Sequence, residues 1–207
     1  MKRLAIILIA LIVMACSLYF LDQYWIHRYD AIITREAARY HVDPDLVWSI
    51  AYEESYFRSW MKGRNGEIGL MQVTPAVARD WASEGGANIQ QRTAANVDEV
   101  LGDPERNIQI ACWYLQKAGE EYKDIPGREA RMLAAYNAGP SRAADWNRVE
   151  AGTRPLNEQE FVARIDIAST RAYVTSILDR YRRVKSSKGG FSLITKAVDD
   201  CGSYADC

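Results

Sequence analysis

The punctuation of its helices limits this chain more than any other feature. Between Asp30 and Lys185 no segment alternates polar and apolar residues with the period of two that a half-buried strand needs, whereas apolar residues recur at three-and-four spacing. Capping side chains stand directly before a proline or a helix-forming run at Asp43-Pro44, Thr74-Pro75, Asp103-Pro104 and Ser141, and each predicts a helix start. Glycines at Gly63 to Gly66, Gly85-Gly86, Gly119, Gly127 and Gly139-Pro140 predict the stops. The expected fold class is all-α. From Ser186 the periodicity lapses apart from a patch at Phe191 to Ile194, so the end reads as a tail. Arg180, Arg182, Arg183 and Lys185 would close the last helix, where cations complement the helix dipole.

The start of the chain belongs to another environment. Lys2 and Arg3 precede an apolar run from Leu4 to Met14, continued by Ala15-Cys16-Ser17 and further apolar residues through Leu21. A charged start before such a run is an export signal, and read to Leu21 it is long enough to cross a bilayer as an uncleaved anchor. Read to Cys16, Val13-Met14-Ala15-Cys16 resembles a bacterial lipoprotein processing site, and a simply secreted protein is the third reading. In the first two the domain faces outward from the membrane. The expected division is 1–21 signal anchor or lipoprotein signal, 22–29 linker, 30–185 one catalytic domain and 186–207 tail.

Charge and cysteines narrow the chemistry. The net charge of -1 supplies no field that would draw the chain onto nucleic acid. His27 and His41 lack Cys or His partners at ligand spacing, so neither a metal nor another cofactor is expected. An exported domain can form disulfides, and Cys201 and Cys207 could close a small loop, whereas Cys112 lies in an apolar pattern and reads as a buried small hydrophobe. Six Trp and twelve Tyr supply rings for a core and flat faces for sugars.

One carboxylate sits on a face meant for the core. In the helix after Asp43 the residues Leu46, Val47, Ile50, Ala51 and Phe57 mark the buried stripe. Glu54 falls within about 40° of Ile50, whereas Glu53 lies at the margin and can reach water. A carboxyl aimed inward is either paired with a distant cation or held protonated, and the second state suits a general acid. Two further segments bear on the choice. Gly66 and Gly69 permit a turn that presents Met71 and Gln72 beside the helix start at Thr74-Pro75, and Gln72 offers donors and an acceptor for hydroxyl and N-acetyl groups. Tyr136 and Asn137 precede the stop at Gly139-Pro140, either as packing ring and cap or as groups projecting into a cleft.

Taken in order, Glu54-Ser55, Gly69-Leu70-Met71-Gln72 with Thr74-Pro75, Ala135-Tyr136-Asn137-Ala138-Gly139-Pro140 and Ser169-Thr170-Arg171-Ala172-Tyr173-Val174 resemble the successive motifs of the soluble lytic transglycosylase (SLT) family, from about Asp30 to Tyr181. The resemblance implies a goose-type lysozyme-like helical domain that cuts the glycan strands of peptidoglycan, leaving 1,6-anhydro-N-acetylmuramic acid ends, in the periplasm of a bacterial envelope. It implies Glu54 as the catalytic acid and base, Met71 and Gln72 along the saccharide groove, Tyr136 and Asn137 against substrate, and Tyr173 as packing behind the site. A muramidase of the same fold and an inactive peptidoglycan-binding scaffold are the alternatives. A small tethered member resembles those that open the wall for secretion or conjugation machinery. The chain departs from the family pattern at Gly63, where a serine commonly bonds the carboxylate, leaving that bond to Asn65, to water or to nothing. It departs also at Glu67, in place of a small residue, at Ala163, in place of a glutamate in some relatives, and at Asp166, in place of a proline.

Overall fold

Three of the four expected helix starts cap as their side chains predict. In a computed structural model, which describes residues 2–85 and 96–202 and their side chains as far as Ser187, Asp43 accepts from the Asp45 N–H, Thr74 from Val77 and Asp103 from Arg106, each with proline in the first turn. The helices among the described residues are α1 (Lys2–His27), α2 (Asp30–Arg39), α3 (Pro44–Ser55), α4 (Pro75–Glu84) and α5 (Val97–Gly102), then α6 (Pro104–Glu121), α7 (Arg128–Ala138), α8 (Pro140–Asn147), α9 (Glu158–Arg164) and α10 (Ala168–Gly202). The only extended pairings among these residues are two isolated antiparallel bridges, from Ile68 to Lys62 and to Val73. The fold is all-α, as expected.

Helices α6 and α7 form the centre. Both bury most of their middle turns, with Ile108, Ile110, Ala111, Cys112, Leu115, Leu133 and Ala134 all buried. Helix α2 packs on α3 and α6, while α10 packs along both α3 and α7, so two segments far apart in sequence meet beside the end of α3. Arg131 of α7 is fully buried without a carboxylate partner. Its guanidinium donates to the Asn147 side chain and to the carbonyls of Pro126, Gly127 and Leu156, and it lies 4.5 Å over the Phe161 ring. One cation thereby holds α8, α9 and the turn before α7 to the centre.

Several boundaries differ from the sequence reading. Ser141 is not a cap: Pro140 takes the first helical position of α8 behind Gly139, which has positive φ. Gly119 lies inside α6, where its bare backbone admits Arg128, whose Nε bonds the Gly119 carbonyl at 2.9 Å. Gly127 precedes a helix instead of ending one. No helix breaks at Ser186. Helix α10 runs on to Gly202, because extending a formed helix adds a hydrogen bond per residue without a new nucleus. The basic cluster is therefore internal to α10 and engages acids: Lys185 bonds Asp43 at 2.7 Å, Arg182 pairs with Glu158, and Arg180 covers the Tyr52 ring.

The segment expected as a linker, 22–29, is helical as far as His27 and contacts the domain. Helix α1 continues through it to His27 and docks: Ile26 is buried, the Trp25 indole donates to the Tyr56 carbonyl at 2.9 Å, and the Trp48 indole donates to the Ile26 carbonyl at 3.2 Å. Arg28, stacked on Trp25, donates to the Phe57 carbonyl. Cys112 is buried and free, and burial pushes its thiol up to about 12. Cys207 and the side chain of Cys201 lie outside the described residues, as does Gly86.

Candidate active site

Helix α3 ends on a reversal that leaves Glu54 beside the glycine loop. Leu46, Val47, Ile50 and Ala51 bury the apolar face, and the chain then turns through two consecutive non-glycine residues in left-handed conformation, Tyr56 (φ 50°) and Phe57 (φ 59°). Each costs about 1–2 kcal/mol. The Phe57 ring is fully buried, and the carbonyls of both residues are taken by Trp25 and Arg28 of the docked α1 segment. Ser55 faces the other way and donates to the Leu70 carbonyl at 2.8 Å, fixing the helix end to the loop that follows.

That loop is a web of short bonds. Gly63 N–H donates to the Glu67 carbonyl, Gly69 N–H to Met61, and Ile68 and Val73 exchange both of their backbone bonds. Gly69 has φ 84°, and a Cβ there would approach Asn107 Nδ2 and the Leu101 carbonyl at 2.5 and 2.6 Å, so only glycine fits. Asn107 of α6, fully buried, is the hub: Nδ2 donates to the carbonyls of Ile68 and Leu101, and Oδ1 accepts from the Met71 N–H at 2.7 Å. The sequence reading passed over Asn107. Its one visible signal was a polar side chain on the apolar face of α6.

Glu54 lies mostly out of water and accepts a hydrogen bond from the Tyr173 hydroxyl of α10 at 2.6 Å. Burial pushes its carboxyl up to about 7, the Tyr173 bond opposes this, and the negative charges of Glu67 and Glu53 add to it. Glu53 faces solvent, where it meets Ser176 and Arg180, so the phase inferred for α3 holds. Tyr173 touches the carboxyl itself and is not packing behind it. The residues lie 119 positions apart, and nothing local in either segment signals the contact.

The other expected site residues fall into two groups. Met71 is fully buried, so it meets its surroundings through the main chain: its carbonyl accepts the Tyr136 hydroxyl at 2.7 Å. Gln72 has positive φ, and its amide donates to the Gly69 and Met61 carbonyls, closing the loop on itself. Asn137 is exposed and accepts from Thr170 at 2.7 Å. Burial, and then the charge of Glu54, push the Tyr136 and Tyr173 phenols well above 10, so both stay protonated and act as donors.

Two of the four departures from the family pattern, Gly63 and Glu67, prove to be linked. A Cβ on Gly63 would overlap Glu67 Oε2 and come within 2.8 Å of Gln72 Oε1, so the Glu67 carboxylate fills the space that a side chain at 63 would need. Asn65 gives both its N–H and its amide to Glu67, at 2.9 Å each, and makes no bond to Glu54. Burial, the largest single influence, raises Glu67, but the Asn65 and backbone hydrogen bonds together outweigh it and hold the carboxyl below its usual range as an anion. Asp166 accepts the Trp146 indole N–H at 2.9 Å. A separate cavity lined by Ile26, His27, Asp30, Trp48 and Ser187 shares no residue with this site.

Comparisons with known proteins point to one family. The profile of the family described as "Transglycosylase SLT domain" matches residues 31–158. The soluble lytic murein transglycosylase of Escherichia coli K12 is 30% identical over 157 residues, covering 75% of this chain and 23% of that protein. Membrane-bound lytic murein transglycosylase C of Yersinia pestis is 27% identical over 117 residues, or 55% of this chain and 32% of the relative. An inactive mutant of lytic transglycosylase Slt from Pseudomonas aeruginosa superposes with a TM-score of 0.64 at 26% identity, over 82% of this chain and 26% of the other. A 70-kDa soluble lytic transglycosylase in complex with bulgecin A gives 0.61 at 26% identity, over 84% and 27%. The chain thus spans about a quarter of the length of the curated relatives it matches most fully.

Proposed function

Because the chain belongs to the transglycosylase SLT domain family, we propose that it is a peptidoglycan lytic transglycosylase. It would cut the β-1,4 bond between N-acetylmuramic acid and N-acetylglucosamine with Glu54 as the sole acid and base. One observation carries the reading: a single carboxyl held out of water, pushed up to about 7, and steadied by one phenol. A group with that pKa is part acid and part base at neutral pH. Protonated Glu54 donates to the glycosidic oxygen as the C1–O bond breaks. The resulting carboxylate takes the proton of the 6-hydroxyl as that oxygen bonds to C1, leaving a 1,6-anhydro ring, a free 4-hydroxyl and Glu54 protonated again. No water is consumed, and the nucleophile is already tethered to the reacting carbon.

Tyr173 orients the carboxyl, and Tyr136 is set against the groove by the Met71 carbonyl. Gln72 and Asn137 are the proposed saccharide contacts at either flank. Digesting isolated sacculi with wild type and Glu54→Gln, then analysing the ends by mass spectrometry, tests the reading: anhydro ends from wild type and none from the variant are expected. Equal, negligible release from both would mean an inactive scaffold. The anionic Glu67 beside Gln72 favours one second reading, a muramidase in which Glu67 positions water. Reducing ends carrying heavy oxygen from labelled water would establish it.

The proposed organisation keeps residues 1–21 as anchor or lipoprotein signal but joins 22–29 to the catalytic domain, since that segment docks on it. The domain would face the periplasm, near enough to a secretion or conjugation apparatus to open the wall for it. Metabolic lipid labelling of wild type and Cys16→Ala separates the two forms of attachment.

A further inference from the structure

Helix α1 does not end where its apolar run ends. Leu4 to Leu21 span about 27 Å at 1.5 Å per residue, close to the roughly 30 Å of one hydrocarbon core. Every large apolar residue of that run that is described is exposed, from Leu4 at 73% to Leu21 at 64%. Asp22 therefore marks the exit from the apolar layer, and the domain reaches down to that level. The Tyr56 hydroxyl donates to the Asp22 carboxylate, and Trp25, one turn further on, donates to the Tyr56 carbonyl. The Trp60 ring stands edge-on to Trp25 at 5.7 Å and is 66% exposed. Three residues of rise place Trp25 about 4.5 Å beyond Asp22, inside the headgroup layer, which is some 5–7 Å deep on each side.

We propose that the loop after α3 seats Trp60 in the headgroup layer of the bilayer that α1 spans, so that the catalytic domain rests on the membrane instead of hanging from a tether. The proposal rests on reading α1 as an uncleaved anchor. A lone exposed Trp on a soluble surface would need no explanation. This one is held by its neighbours at the height where indoles concentrate, where an apolar ring and one N–H donor match lipid and headgroup together. Tyr24, 73% exposed, lies at the same level, and the same loop carries the exposed cations Arg58 and Arg64, with Lys62 paired to Asp98 at 3.0 Å, a charge that suits an anionic leaflet.

The full chain, reconstituted in phosphatidylcholine–phosphatidylglycerol vesicles, tests this. An environment-sensitive fluorophore is placed at Trp60→Cys and, as a distant control, at Glu150→Cys, with the four native cysteines replaced in both. In vesicles that keep the protein through a carbonate wash, the label at 60 should be quenched several-fold more by nitroxide on the lipid headgroup region than the label at 150, and should be shielded from aqueous iodide. Intrinsic fluorescence is a second readout: wild type should lose a larger share to the same lipids than Trp60→Phe. Equal iodide access at both positions, in protein that stays with the vesicles, overturns the proposal. So does a label at 60 that ignores the lipid quencher but responds to added glycan fragments, which would make Trp60 a sugar platform. Release of the protein by the wash would overturn the anchor reading and the proposal together.

Discussion

In its proposed role, Glu54 would couple stability and activity to the same proton. Its carboxyl titrates near 7 in the folded chain against 4.5 for an ordinary side chain, because burial disfavours the anion. The folded value lies above the unfolded one, so stability is intact below about 4.5 and is lost as pH rises through 7. Glu54→Gln removes that loss while still accepting the Tyr173 hydroxyl. Urea unfolding should find the variant more stable by up to about 3 kcal/mol at pH 8 and equal to wild type at pH 4. Its two neighbours pull the activity profile in opposite directions. The Tyr173 bond favours the anion and the Glu67 charge disfavours it. In pH profiles of kcat/KM, the limb that falls above neutrality should move to higher pH in Tyr173→Phe and to lower pH in Glu67→Gln. Tyr173→Phe should also lower kcat roughly tenfold, a loss of about 1.4 kcal/mol in positioning the carboxyl. The inward aim of Glu54 was legible from its phase on α3. Its partner was not, because the contact joins α3 to α10 across most of the domain.

Elements were legible where a signal is local and illegible where it is tertiary. Asp43, Thr74 and Asp103 cap as read, since each acts on a backbone amide two or three residues away. Glycine misled at Gly119 and Gly127, because a bare backbone serves close packing and helix entry as well as helix exit, and only the neighbours, Arg128 and Glu158, decide which. The docking of segment 22–29 was illegible for the same reason: Trp25, Ile26 and Arg28 find partners only on a domain that lies elsewhere in the sequence. Its task has a measurable size. Trp25 and Arg28 hold the carbonyls of the left-handed pair that ends α3, and Ile26 enters the core. A chain beginning at Asp22 should match the full chain in urea stability of its domain. One beginning at Asp30 should lose about 5–6 kcal/mol, from four hydrogen bonds, those of Trp25, Arg28 and Asp22 and the one that Trp48 gives to the Ile26 carbonyl, and from one buried aliphatic side chain, with glycan release falling as well. Equal stability of the two truncations would show that the left-handed pair needs no brace.

At the scale of the whole molecule, the docking of residues 22–29 would set how far the proposed enzyme can reach. The near-balanced charge supplies no long-range pull toward the wall, so access to glycan depends on where the domain is held. If α1 is the proposed anchor, its passage from the apolar run into a docked segment without a break would hold the proposed groove at a fixed height, and only strands that come close to the membrane could enter it. A flexible tether changes that without touching the site. Twenty Gly/Ser residues inserted between Leu21 and Asp22 would extend the reach by about 25 Å. On short soluble glycan fragments the vesicle-bound insertion variant and wild type should turn over at the same rate, because Glu54, Tyr173 and the loop around Asn107 are unchanged. On intact sacculi presented to the same vesicles, the variant should release more anhydro ends, since its groove now reaches strands that the seated domain cannot. Equal release from sacculi would mean that access is limited by the wall itself, and the rigid seat of the domain would then have no bearing on which strands are cut.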